Sequence, residues 1–122
     1  MKEFKAFRVE KLPEEITEVI FDLPGEKVNK WNTATMEEFS TLIEELRNEN
    51  PKLILFRSGK PGMFIAGADI DEIKKVTNPA EGEKLALKGQ AIFQAWADLE
   101  STTVALIDGP CLGGGFEFAL AC

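Results

Sequence analysis

An α/β fold is predicted by three features of this 122-residue chain. Two short apolar runs, at 52–57 and 103–107, read as buried strands. Each leads into a glycine-bearing loop and then a helix start. Longer segments with helical periodicity stand before and between them. That order calls for parallel strands joined by right-handed crossovers.

The elements follow in turn. Phe4, Phe7 and Val9 lie in a charge-interrupted stretch that suits an edge strand. Residues 18–23 read as a stronger strand, ending at the turn pair Pro24-Gly25. Together they predict an opening hairpin. Residues 32–48 repeat Met36, Phe39, Leu42, Ile43 and Leu46 at helical spacing. Thr35 and Glu38 suggest a capping box, and Pro51 enforces the stop. The run at 52–57 is apolar almost throughout, as a strand buried on both faces would be. Residues 58–67 form a loop with three glycines and a proline, and Asp69 is placed to cap a short helix. A long helix covers 79–99, with Leu85, Ile92, Phe93, Trp96 and Leu99 facing inward. The strand at 103–107, a loop at 109–115 and a helix from Phe116 complete the order. Trp31 and Trp96 read as core.

Composition narrows the function. The chain is 44% hydrophobic and 29% charged, with 21 acids against 14 bases and a net charge of -7. An acidic chain without a basic stripe is not expected to bind nucleic acid or anionic membranes. Its opening MKEFKAFRVE is not a signal peptide, and no run matches a membrane span. Cys111 and Cys122 make neither a disulfide framework nor a zinc pattern, so a reducing cytoplasm is the expected setting. Histidine is absent. That excludes Ser-His-Asp and Cys-His catalysis and the usual metal ligand sets.

The chemistry-bearing pattern is the repeated strand, glycine loop and helix start. Ligands in α/β sheets bind beyond the carboxyl ends of strands. A helix start there presents unpaired N–H groups. Two such starts, Gly67-Ala68-Asp69 and Gly113-Gly114-Gly115, would supply two backbone donors for one negatively charged oxygen, which is an oxyanion hole. Purely structural turns remain the plain alternative. Phosphate binding is the weaker one, because GPCLGGG is not G-x-G-x-x-G and the chain has no G-K-[ST].

The stretches S-G-K-P-G-M-F-I-A-G-A-D-I (58–70) and G-P-C-L-G-G-G-F-E-F-A-L-A-C (109–122) resemble the crotonase, or enoyl-CoA hydratase/isomerase, family. They are most similar to the hydratase segment of multifunctional fatty-acid oxidation alpha subunits. The resemblance spans the chain and implies a crotonase-like spiral of ββα units, of which residues 1–122 would be the N-terminal part. It implies syn hydration of trans-2-enoyl-CoA to 3-hydroxyacyl-CoA. The thioester carbonyl would sit between the N–H groups of Ala68 and Gly114. Glu117 matches the first of two family glutamates that share acid–base work on one water. The second falls beyond Cys122, so these residues by themselves are expected to be nearly inactive. Ala66, Gly67, Asp69, Ile70 and Gly113 are the implied substrate-binding positions. Hydration needs no cofactor; NAD would belong to a downstream dehydrogenase domain. The resemblance further implies a thiolase beta subunit as partner and an oligomer. Many members carry Asn-Ala-Leu near the first helix, where this chain reads Val28-Asn29-Lys30-Trp31-Asn32.

Each singled-out residue has a plainer reading. Glu117 suits the first turn of a helix by charge alone. Asp69 is a helix cap before it is a proton carrier, and Cys111 is a small apolar loop residue. Phe64, Ile65 and Ala66 line an acyl path or pack the loop. Lys60 meets a CoA phosphate or is simply solvated. Two rival functions stand beside hydration: double-bond isomerisation on the same scaffold, and non-catalytic acyl-CoA binding.

Overall fold

The computed structural model describes residues 3–122. A four-stranded sheet runs in the order β1-β2-β4-β6, built from β1 (Phe7–Leu12), β2 (Ile16–Phe21), β4 (Leu53–Ser58) and β6 (Thr102–Leu106). β1 and β2 are the antiparallel hairpin, and β2, β4 and β6 run parallel. The hairpin turns at residues 13–15, where Glu14 and Glu15 take positive φ of 66° and 62°. Neither is the glycine or asparagine that would mark such a turn in a sequence.

Two strands sit otherwise than the sequence suggests. β4 alternates buried and half-buried residues rather than being buried on both faces. Ile54, Phe56 and Ser58 point into the core, while Leu55 and Arg57 lie on the other face. β6 is not buried: it is an edge strand of the sheet, with Val104 and Leu106 exposed.

Helix α1 (Thr33–Glu49) packs its stripe of Phe39, Leu42, Ile43 and Leu46 on the sheet. Its capping box is Asn32 with Thr35, not Thr35 with Glu38. Asn32 Oδ1 accepts from Thr35 N at 2.8 Å, and Thr35 Oγ1 accepts from Asn32 N at 2.8 Å. Glu38 instead takes the Lys5 and Ala6 amides. Asn50 closes the helix in the left-handed region, φ 48°.

Helix α3 (Pro79–Ala97) starts from the Asn78 cap with Pro79 in its first turn. It buries Ile92 and Trp96, and Leu99 beyond its end, but leaves Leu85 47% exposed, against the expectation that Leu85 faces the core. The core is an aromatic cluster. Phe56 and Phe118 have ring centroids 4.4 Å apart, Phe7 and Phe21 4.7 Å, and Trp31 and Phe39 5.2 Å. Such pairs add about 0.5–1.5 kcal/mol each beyond their area burial.

A small second sheet pairs β3 (Lys30–Trp31) with β5 (Gly67–Ala68) in parallel. Two-residue strands are too short to carry periodicity, and the sequence gives no sign of them. β5 runs into the short helix α2 (Ile70–Ile73), capped by Asp69 as expected. Helix α4 (Gly114–Leu120) starts two residues before the expected Phe116.

Candidate active site

The two glycine loops meet because their backbones are laced together. Phe64 N and Ile65 N both donate to Pro110 O, at 3.2 and 3.1 Å, and Leu112 N donates back to Ile65 O at 3.1 Å. On the other side, Ala66 N donates to Asn29 O and Asp69 N to Trp31 O, each at 2.8 Å. Ala66 N and Asp69 N both face β3 although they are three residues apart, so the backbone between them departs from regular strand alternation. Gly67 carries φ +133°, a conformation that L side chains rarely adopt.

Gly114 is the first residue of α4, so its N–H has no intrahelical acceptor. A Cβ built on Gly114 would lie 3.7 Å from Ala68 N, and one on Gly67 would lie 3.9 Å from Gly114 N. The Ala68 and Gly114 backbones therefore lie close together where the second loop opens its helix.

Ala68, Asp69, Gly114 and Glu117 line one cleft of about 460 Å³. The cleft is roofed by α1 and α3 and walled by apolar groups, including Met36, Ile73, Val76, Leu85, Ile92 and Phe93. Leu85 is exposed for this reason: it faces the cleft rather than the core. Glu117 stands in the first turn of α4, with its side chain open to solvent. Of its neighbours, Phe118 is fully buried and Phe116 is exposed.

The remaining anticipated residues do not line the cleft. Ala66 is tied to Asn29, Gly67 is buried behind the donors, and Gly113 precedes α4 with φ 49°. Ile70 points to solvent at 65% exposure. Lys60 is neither solvated nor turned to the cleft. Its ammonium bonds Asp22 at 2.7 Å and Leu23 O at 2.8 Å, with its side chain 12% exposed. Cys111 is a half-buried loop residue, and burial pushes its thiol up from the ordinary value. A larger hollow of about 540 Å³, beside β1 and lined by Lys5, Arg8, Lys11 and Asp22 among others, stands apart from these groups.

Asn29 is the residue whose role sequence reasoning missed. It is fully buried. Its Oδ1 accepts from Leu23 N at 3.0 Å, and its Nδ2 reaches Phe21 O, Ser58 Oγ and Phe64 O at 2.9, 3.0 and 3.1 Å. One side chain thus joins the ends of β2 and β4 to the loop that carries Ala68. The available signal was the first asparagine of V-N-K-W-N, between a strand and the Asn32 helix cap.

The enoyl-CoA hydratase/isomerase family profile matches residues 11–122. The chain belongs to this family. Curated relatives include the fatty acid oxidation complex subunit alpha of Aliivibrio fischeri, 44% identical over all of this chain, and that of Idiomarina loihiensis, 42% identical over all of it. The chain spans only 18% and 17% of those two proteins. Among solved structures, an enoyl-CoA hydratase from Geobacillus kaustophilus superposes with a TM-score of 0.88 at 26% identity, over 99% of this chain and 45% of that one. Pseudomonas aeruginosa DspI gives 0.86 at 26% identity, over 100% and 49%. The mixed α/β architecture is therefore the crotonase fold. Among the described residues, no helix is long and apolar enough to cross a membrane.

Proposed function

We propose that this chain is the N-terminal portion of an enoyl-CoA hydratase domain in a multifunctional fatty-acid oxidation alpha subunit. The reaction is syn hydration of trans-2-enoyl-CoA to 3-hydroxyacyl-CoA. One observation supports this reading: Ala68, Gly114 and Glu117 line one cleft, with the Ala68 and Gly114 backbones close together.

The chemistry follows from those groups. Water adds its oxygen to C3 of the enoyl thioester. The C2=C3 π electrons move toward the carbonyl, and the thioester oxygen gains negative charge. Two preorganised N–H donors stabilise that enolate more than the neutral carbonyl, so they lower the barrier rather than merely bind. The Glu117 carboxylate accepts a water proton as the C–O bond forms. The enolate then collapses as C2 takes a proton, completing addition of H and OH across the double bond. A second acid shares this work and comes from residues beyond Cys122. The apolar wall of Met36, Val76, Leu85 and Phe93 suits an acyl chain. Ala66, Gly67, Ile70 and Gly113 support the site from behind or beside it.

Hydration changes no net oxidation state, so this segment calls for no cofactor; NAD would serve a separate downstream dehydrogenase domain. The relatives are named as subunits of a complex. By that likeness we assign a thiolase beta subunit as partner, an oligomeric assembly and a cytoplasmic setting.

The test is crotonyl-CoA hydration by the full-length protein, wild type against Glu117→Gln. Loss of one acid–base group is expected to lower kcat on the order of 10²–10⁴-fold with substrate binding kept. Unchanged turnover would make Glu117 a helix-end acid. Retained double-bond migration without hydration would favour the isomerase, and binding without either reaction the non-catalytic module.

A further inference from the structure

We infer that Glu72 is a positioning residue that holds the Ala68 amide in register with that of Gly114. The inference rests on the reading of Ala68 N–H as an oxyanion donor, proposed above.

The helix that follows Ala68 has little to hold it. α2 is a single turn, and none of its four residues is buried. Ile70 and Ile73 are 65% and 56% exposed, so packing does not fix its place. Its internal bonds, Ile73 N to Asp69 O and Lys74 N to Ile70 O, shape the turn but do not anchor it.

Among the described residues, two sets of hydrogen bonds tie the segment to the rest of the molecule. One is Asp69 N to Trp31 O. The other is Glu72. Its carboxylate accepts from Thr33 N at 2.9 and 3.0 Å through its two oxygens, and from Thr33 Oγ1 at 3.3 Å. Thr33 is the first residue of α1, so its N–H is one of the donors a helix leaves unpaired. α1 has no acid of its own in its first turn. Glu72 supplies that charge from 39 positions away, where the helix dipole favours it.

The geometry gives this contact a consequence for the site. The Ala68 N–H belongs to the Gly67–Ala68 peptide of β5, and α2 begins two residues later. The chain is pinned on the β5 side by the ladder to β3, and on the α2 side by Asp69 N to Trp31 O and by Glu72. With both held, the peptide plane is fixed and the N–H keeps its aim on the cleft. With Glu72 free, the Asp69 amide is the one hydrogen bond left to anchor the α2 side among the described residues. Both Thr33 and Glu72 line the same cleft as Ala68, so the clamp also forms part of its rim.

The test uses the full-length protein and breaks the contact from opposite ends. Glu72→Ala removes the carboxylate. Thr33→Pro removes both donors at the helix position where proline is best tolerated. Asn32 before it is already extended, with φ −121° and ψ 176°, as a residue preceding proline must be. Each variant is assayed for crotonyl-CoA hydration and for amide hydrogen exchange at Asp69, whose N–H is bonded to Trp31 O.

Each is expected to lose on the order of 10- to 100-fold in kcat, as misplaced catalytic groups do, and to speed exchange at Asp69. The double variant should lose no more than the worse single one, because both remove one interaction. Glu72→Gln, which still accepts through Oε1, should recover most of the rate. Losses that add independently would overturn the proposal. So would a lowered Tm with kcat and Asp69 exchange unchanged, the mark of a purely structural contact. If the wild type hydrates no enoyl-CoA, the functional reading falls, and Asp69 exchange alone decides the clamp.

Discussion

At the scale of single residues, the glycines of the second loop set distances. Gly115 stands directly behind Gly114 and is buried against Ile65. A Cβ there would lie 2.7 Å from both the Cβ and the carbonyl oxygen of Ile65, which is closer than atoms pack. Either α4 moves outward or the Ile65 strand moves back. Gly115→Ala is therefore expected to destabilise the protein by about 1–3 kcal/mol, read as a lower urea midpoint at unchanged m. Gly82→Ala is the control. Gly82 lies inside α3, where an added Cβ meets only Val76 Cγ1 at an ordinary 3.5 Å. Removing backbone entropy there should stabilise by about 0.5–1 kcal/mol. If the two variants moved the midpoint alike, close approach at Gly115 would not be what selects glycine. The glycine triplet was legible as a helix start for this reason. Which of its members was needed for contact, and which for an open amide, was not, because that depends on Ile65, 50 positions earlier in the sequence.

At the scale of elements, local chemistry was readable and long-range chemistry was not. The stripes of α1 and α3 repeat at 3.6 residues, and their buried residues mostly fall on them. Leu85 broke the pattern because α3 faces two surroundings along its length: the core near Trp96 and the cleft near Leu85. The cap of α1 was misplaced because Asn32, Thr35 and Glu38 all suit capping, and only the distant partners of Glu38, Lys5 and Ala6, decide among them. Asn29 belongs to the same class. Its bonds reach Phe21, Leu23, Ser58 and Phe64, which no local pattern links to it. Those bonds join three chain segments at the base of the Ala68 loop. Asn29→Ala would leave the Leu23 amide and the Phe64 carbonyl without this buried partner. The expected cost is about 1–3 kcal/mol for each group stranded. Thermal unfolding and amide exchange at Leu23 and Ala66 measure it. A change in Tm no larger than that of an exposed substitution would mean that water or a shifted backbone replaces the side chain.

At the scale of the molecule, the meeting of the two glycine loops was more legible than the surface around them. Loops after parallel strands collect at one end of any α/β sheet, so two glycine loops in that position were expected to meet before any packing was known. The exposure of β6 was not foreseen, because an apolar run reads as buried wherever it stands. It lies at the sheet edge, with Val104 and Leu106 at 37% and 41% exposure and Ile107 at 51%. On α4 and the loop before it, Leu112, Phe116 and Leu120 repeat every fourth residue and are 59%, 55% and 69% exposed. An apolar stripe at this spacing, on a helix whose other side is core, lowers its free energy when covered. An unpaired strand edge beside exposed aliphatic side chains acts in the same direction. The 122 residues on their own are therefore expected to associate with one another in a concentration-dependent way. Sedimentation velocity across a range of concentrations would show the weight-average mass rising. Leu106→Lys with Leu120→Lys places charge on both stripes without touching the cleft and should return the species to monomer. A wild-type chain that stays monomeric throughout would show that neither stripe is open enough in solution to drive contact.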